Sequence, residues 1–177
     1  MDNQTHIIKV LLVEDNPGDV RLIQEMLKEG DYFRFKLTCV ERLDEAMKQL
    51  DEGVFDVILL DLGLPDSQKL DTLRNVNRKV PDMPIVVITG IADEMLGIEA
   101  VRDGAQDYLT KGQTDRNLLI HSIRYSIGRK RMGNEFKKKV DTIEKMNKFM
   151  VGRELRMEEL RKENERLKER IREMEKR

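Results

Sequence analysis

Asp61 closes the apolar run FDVILLDLGLP at residues 55–65 and stands just before a turn holding Gly63 and Pro65. An unbroken Val, Ile and Leu run suits a central parallel strand covered on both faces, and the carboxyl rim of such a sheet is where ligands and chemistry collect. Three further runs end in polar groups. IIKVLLV is followed by Glu14 and Asp15, PIVVIT ends in Thr89, and a short run near 107–109 is followed by Thr110 and Lys111. Together the strand ends offer three carboxylates, a hydroxyl and an ammonium. Clustered carboxylates repel one another unless a cation is present. Hard oxygen ligands without a nearby His or Cys suit Mg²⁺ rather than zinc. A fixed Lys and a Thr hydroxyl would neutralise the equatorial oxygens of a phosphoryl group, leaving Asp61 to attack it as a nucleophile and form an acyl phosphate. Each residue also has an ordinary reading: a solvated loop for Glu14 and Asp15, a strand filler for Thr89, a surface charge for Lys111. Their convergence at one rim favours the chemistry.

Strict alternation positions these groups. Strands are predicted near 7–13, 34–40, 55–60, 84–89 and 106–109, and helices near 17–29, 42–51, 69–79, 93–103 and 115–131. This order predicts a parallel sheet with helices on both faces and right-handed crossovers. Leu22, Ile23, Met26 and Leu27 give the first helix an apolar face, and Leu119, Ile120, Ile123 and Ile127 give one to the fifth.

In VLLVEDNP, DVILLDLGLPDS, IVVITG and DYLTKG, taken in that order, the chain resembles the response-regulator receiver domain, the phospho-acceptor module of two-component signalling. The resemblance covers roughly residues 6–131. It implies an α/β, doubly wound, five-stranded parallel sheet of flavodoxin-like order 2-1-3-4-5, with its site at the switch between strands 1 and 3. It also implies that Asp61 is phosphorylated and that Glu14, Asp15, Asp61 and the Gly63 backbone carbonyl hold Mg²⁺. Thr89 would bond a phosphoryl oxygen, and Lys111 would pair with the phosphate. Tyr108 matches an aromatic switch that turns inward as Thr89 is drawn to the phosphate, although an aromatic at this edge can equally just pack. The implied partner is a sensor histidine kinase or phosphotransfer protein, donating from phosphohistidine. The chain is then a self-phosphorylating acceptor, not a turnover enzyme.

The sequence departs from the family pattern in places. Gly112 stands where a Pro usually follows the Lys, and Lys69 stands where a Gly is frequent. A left-handed backbone at Lys69 would cost about 1 kcal/mol. Gly63 and Ile91, two residues beyond Asp61 and Thr89, offer no polar side chain to orient a hydrolytic water. Slow self-dephosphorylation is therefore expected.

Beyond Arg131 the composition changes, dividing the chain into a receiver at 1–131 and a helical extension at 132–177. Residues 134–177 carry 15 basic and 11 acidic side chains, a net of +4 against −5 for the preceding 133, with no Pro and Gly only at 152. Phe136, Ile143, Met150, Met157, Asn164 and Ile171 recur every seventh residue, with Lys139, Met146, Arg153, Leu160, Leu167 and Met174 as companions. Nine of these twelve are apolar, which predicts a coiled-coil seam, and a lone Asn164 on it selects a parallel, in-register homodimer. Across that dimer Glu163 would meet Lys168 and Arg170 would meet Glu175, while Arg156 would face Arg161. A lone solvated helix is the alternative. Gly128 and Gly133 suggest a hinge between receiver and tail. If the helix instead continues unbroken, a change at the receiver would pass into the coiled coil.

Other classes fit less well. Arg129, Lys130 and Arg131, then Lys137, Lys138 and Lys139, precede the seam as in a basic leucine zipper. The first cluster, however, serves the end of the fifth helix, and the base-reading pattern is missing, so specific nucleic-acid binding is disfavoured. A haloacid-dehalogenase-like phosphatase needs a second Asp where Gly63 stands. The segment MNKFMVGRELRMEELRKENERLK resembles helices between signalling modules, which leaves open a receiver fragment of a larger hybrid protein, a stand-alone regulator or a partner-binding tail. A single Cys39, no membrane-length apolar run and no signal-peptide pattern at MDNQTHIIK lead to the expectation of a cytoplasmic protein without membrane partners. Neither His6 nor His121 has a phosphotransfer setting.

Overall fold

A computed structural model describes residues 7–28, 34–90 and 94–175. The elements are β1 (Ile7–Val13), α1 (Pro17–Leu27), β2 (Arg34–Val40), α2 (Leu43–Glu52), β3 (Val57–Asp61), α3 (Lys69–Lys79), β4 (Ile85–Thr89), α4 (Glu94–Arg102), β5 (Asp107–Thr110) and α5 (Arg116–Glu175). Five parallel strands lie in the order β2-β1-β3-β4-β5. The expected order is present, and β1 and β3, whose ends carry the acidic groups, are neighbours.

The apolar runs supply both faces of the sheet because alternate residues point opposite ways. Ile58 and Leu60 of β3 join Leu11, Val13, Ile85 and Val87 in a core covered by Leu43 and Ala46 of α2, Leu73 and Val76 of α3, and Ala100 of α4. Val57 and Leu59 join Val10, Leu12, Val86 and Ile88 in the opposite core, under Ile23 and Leu27 of α1 and Leu119 and Ile123 of α5. The central strands β3 and β4 are buried at every position, while the edge strand β2 is not. Asp61 is the last residue of β3, paired with Ile88, and Thr89 pairs with Thr110. That register brings the polar ends of β3, β4 and β5 to one rim.

Chain ends of the helices follow local chemistry. Pro17 opens α1, and Asn16 caps it by accepting from the Gly18 N–H at 2.9 Å. α2 has no side-chain cap of its own at Arg42. Asp66 provides one from the loop after β3: Oδ1 accepts from the Leu43 N–H at 3.0 Å and Oδ2 from the Asp44 N–H at 3.1 Å. Burial opposes the charge on Asp66, but these N–H groups and Arg42 win, holding its carboxyl below the usual range.

Lys69, the first residue of α3, adopts φ 36°, the left-handed angle the sequence suggested for this position. Lys69→Gly is expected to stabilise the protein by about 1 kcal/mol, read as a higher urea midpoint at unchanged slope. An unchanged midpoint would mean that the Lys side chain offsets the strain. Gly112 takes φ 79°, and no cis peptide occurs among the described residues.

The chain divides into two compact units, Met1–Met132 and Gly133–Arg177. In the first, α5 packs Leu119 and Ile123 into the core. In the second, α5 is a helix whose apolar residues are exposed, including Phe136, Ile143, Met146, Met150, Met157, Leu160, Leu167, Ile171 and Met174. Asn164 is exposed among them. Gly128 and Gly133, where the sequence suggests a hinge, both lie inside α5, as does Gly152. A glycine costs a helix only up to about 1 kcal/mol relative to Ala, which good helix formers on either side can offset.

Candidate functional site

The loop after β1 fixes Glu14 before it fixes anything else. The Glu14 N–H donates to the Val40 carbonyl at 3.0 Å, extending the β1–β2 pairing by one residue. Its Oε1 accepts from the Asn16 N–H at 3.1 Å, and the side chain is fully buried. Oε2 is left facing the rim. Asp15 beside it is exposed. From β3, Asp61 Oδ1 accepts from the Gly63 N–H at 2.8 Å, so the turn itself orients the carboxylate. Carboxylate oxygens of Glu14, Asp15 and Asp61 all lie within 4.8 Å of one another.

Lys111 reaches this cluster from the end of β5, its N–H donating to the Thr89 carbonyl at 2.7 Å. Its Nζ donates to Asp61 Oδ2 at 2.6 Å. The same ammonium lies 2.7 Å from Glu14 Oε2 and 2.9 Å from Asp19 Oδ2 of α1. The Glu14 contact is close but misaligned, so Oε2 is buried without a directed donor. Burial disfavours the ammonium charge, yet the surrounding carboxylates outweigh it and hold Lys111 above the usual lysine range. Glu14 responds the other way. Burial, aided by the Asp61 charge and opposed by Lys111, pushes its carboxyl up to about 7.

Thr89 completes the set. Its Oγ1 is buried and has no hydrogen-bond partner among the described residues. A buried hydroxyl without a partner is costly, so this donor is the notable one of the set. Tyr108 is half-buried and packs on the core under α4. Gly97 of α4 makes room for it, since a Cβ there would collide with the ring.

A profile of the response regulator receiver domain matches residues 10–124. This chain belongs to that family. It is 36% identical over 103 residues to the transcriptional regulatory protein KdpE of Staphylococcus aureus, covering 58% of this chain and 43% of the relative. With the cell cycle transcriptional regulator CtrA of Caulobacter vibrioides the identity is 32% over 104 residues, covering 59% and 44%. The receiver thus spans less than half the length of either curated relative. Among solved structures, a response regulator receiver domain protein from Clostridium thermocellum superposes with a TM-score of 0.62 at 25% identity, covering 71% of this chain and 98% of that one.

Within this receiver, sequence reasoning placed Glu14, Asp15, Asp61, Thr89 and Lys111 at one rim, and the structure brings them together there. Tyr108 lies inside β5, opposite Val87, with its ring against Gly97 of α4. Ile91 lies outside the described residues. Two contributors were missed, Asp19 and Asp66. An acid in the first turn of a helix is ordinary, because it meets the positive end of the dipole, so Asp19 gave no signal of its own. Its position four residues after Asp15, on the turn facing the rim, was the available clue. Asp66 gave no signal either, because a cap reaching across 22–23 residues has no local signature.

The raised carboxyl of Glu14 has a sign that can be tested. Below pH 4.5 folded and unfolded chains both hold this proton; between 4.5 and about 7 only the folded chain does. Glu14's contribution is therefore fully present below the lower value and is lost as pH rises through the upper one. In metal-free buffer, the melting temperature of Glu14→Gln relative to wild type is expected to climb between pH 4.5 and about 7 and to level off above. Melting curves that stay parallel across that range would refute the assignment.

Proposed function

We propose that this receiver accepts a phosphoryl group on Asp61 from the phosphohistidine of a sensor histidine kinase or phosphotransfer protein, and relays the change to its C-terminal helix. The observation that carries the reading is the buried, unpartnered hydroxyl of Thr89, the residue after Asp61's ladder partner Ile88, with Asp61 already paired with Lys111. An Asp61 oxygen attacks phosphorus as the P–N bond of the donor breaks, its electron pair returning to the imidazole. Lys111 and Thr89 then meet two of the phosphoryl oxygens. The donor set of Glu14, Asp15 and Asp61, all hard oxygens, suits Mg²⁺, with the Gly63 carbonyl as a further ligand. Bound there, Mg²⁺ would draw charge from the phosphoryl oxygens. Tyr108 reports the state of Thr89 by its position against α4. Without a polar side chain at Gly63, the acyl phosphate is expected to hydrolyse slowly.

The acceptor turns over once per phosphoryl group and is no enzyme in the usual sense. A parallel homodimer through Ile143, Met150, Met157, Leu160, Asn164, Leu167, Ile171 and Met174 is the proposed output element. A receiver working as one part of a larger hybrid signalling protein uses the same site and differs only in what the tail adjoins. Specific DNA binding has less support, because Arg129 of the first basic cluster lies over the Tyr125 ring, 5.5 Å from its centroid. No helix among the described residues is long and apolar enough to cross a membrane. The free Cys39 fits the reducing, cytoplasmic setting proposed here. Acetyl phosphate with Mg²⁺ should add one phosphoryl group, seen by intact mass, and EDTA should prevent it. No adduct, or one indifferent to EDTA, would sink the proposal.

A further inference from the structure

The three carboxylates around Lys111 have different prospects. Asp61 and Glu14 belong to the cluster assigned to Mg²⁺, whereas Asp19, 2.9 Å from the ammonium, does not. Lys111 as it stands rests on the oxygens a divalent cation needs: Asp61 Oδ2 at 2.6 Å and Glu14 Oε2 at 2.7 Å. Ammonium and metal repel each other and compete for the same lone pairs. Loading the metal therefore requires Lys111 to give up at least part of both contacts.

An ammonium so displaced needs another anion or a path to water. Its side chain is only 23% exposed, and together with Asp19 it borders a mostly apolar pocket walled by Ile23, Ile88, Leu109 and Leu119. Solvent is a poor refuge beside such a wall, and Asp19 is already in contact. Two buried atoms of the site lack a directed hydrogen bond: Glu14 Oε2, which meets only the Lys111 ammonium at 2.7 Å, and Thr89 Oγ1. The first fits a metal and the second a phosphoryl oxygen. Asp19 is not needed as a helix cap, because Asn16 already caps α1.

We propose that Asp19 is a positioning residue for metal loading: it receives the Lys111 ammonium when Mg²⁺ takes Glu14 and Asp61, and keeps it beside Asp61 for the incoming phosphoryl group. The inference rests on the Mg²⁺ site proposed above. Asp19 touches neither metal nor phosphoryl group in this role. It acts through Lys111, and that dependence is what can be measured.

The test is Mg²⁺ titration of the full chain by calorimetry, with no phosphodonor, for wild type, Asp19→Asn, Lys111→Met and the double variant. Asp19→Asn is expected to weaken Mg²⁺ binding about tenfold, as for other outer partners of a metal site. In the Lys111→Met background the same change should leave the affinity within about twofold. Asp19→Glu, which keeps the charge, should recover most of the loss, and urea midpoints should show every variant folded. Equal weakening in both backgrounds, or none in either, overturns the role of Asp19 while leaving the metal site intact. A wild-type chain that binds no Mg²⁺ overturns both.

Discussion

Asp61→Asn is expected to abolish phosphorylation by acetyl phosphate while leaving the domain folded. The amide keeps an oxygen for the Gly63 N–H, which Asp61 now engages at 2.8 Å. In place of the second oxygen it offers an NH₂ to Lys111, donor against donor, and loses the ion pair held at 2.6 Å. Nucleophilic capacity goes with the charge, since an amide does not attack phosphorus and no other carboxylate sits at the end of β3. The fold loses little. Removing one of several clustered negative charges relieves repulsion, so the net change in stability should stay within about 1–2 kcal/mol. The substitution has a second consequence, because the Asp61 charge helps hold the Glu14 carboxyl up. The pH dependence described for Glu14 should therefore weaken in Asp61→Asn. Intact mass after acetyl phosphate treatment, with melting curves at two pH values, checks both. A phosphorylated Asp61→Asn chain would move the acceptor elsewhere.

How much of this was legible beforehand depends on how local each cause is. The continuous apolar runs of β1, β3 and β4 announced buried parallel strands, and their polar ends announced the rim, because burial on two faces leaves no other pattern. Phe55 was read into β3 and is buried, but it lies before the strand, and Asp61 is the strand's own last residue. That shift matters: ladder pairing with Ile88 holds the Asp61 backbone within the sheet rather than in the following loop. Lys69 was legible as a strain site because backbone sterics act on one residue alone. Asp19 and Asp66 were illegible for the opposite reason. Their roles come from partners on other elements, Lys111 at the end of β5 and the bare N-terminus of α2. Gly128 and Gly133 are helical because a penalty of up to about 1 kcal/mol each is small beside the helix formers around them.

The tail's apolar seam is the remaining feature of large consequence, and it is expected to make the full chain a dimer whose mass in light scattering is twice 20.8 kDa. Weighing the lone helix against the pair decides this. On the isolated helix, the ion pairs Arg156–Glu159, Arg161–Glu165 and Lys162–Glu158 are all exposed. Such pairs contribute about 0.3–0.5 kcal/mol each, and Gly133 and Gly152 together cancel a sum of that size. Meanwhile Leu160, Leu167 and Ile171 stand just over half exposed in a single chain. Burying a Leu or Ile side chain fully is worth about 1.5–3 kcal/mol, so even partial burial at the nine apolar seam positions exceeds what the ion pairs supply. In such a dimer Asn164 would select the arrangement, because two copies running parallel and in register would pair the two amides across the seam. Replacing Leu160 and Leu167 together by Lys should give monomers with the receiver intact, and Asn164→Leu should yield a tighter but less uniform assembly. Monomeric wild type would leave the seam as one side of a contact with a different protein. A dimer that survives both lysines would put the pairing surface on the receiver itself.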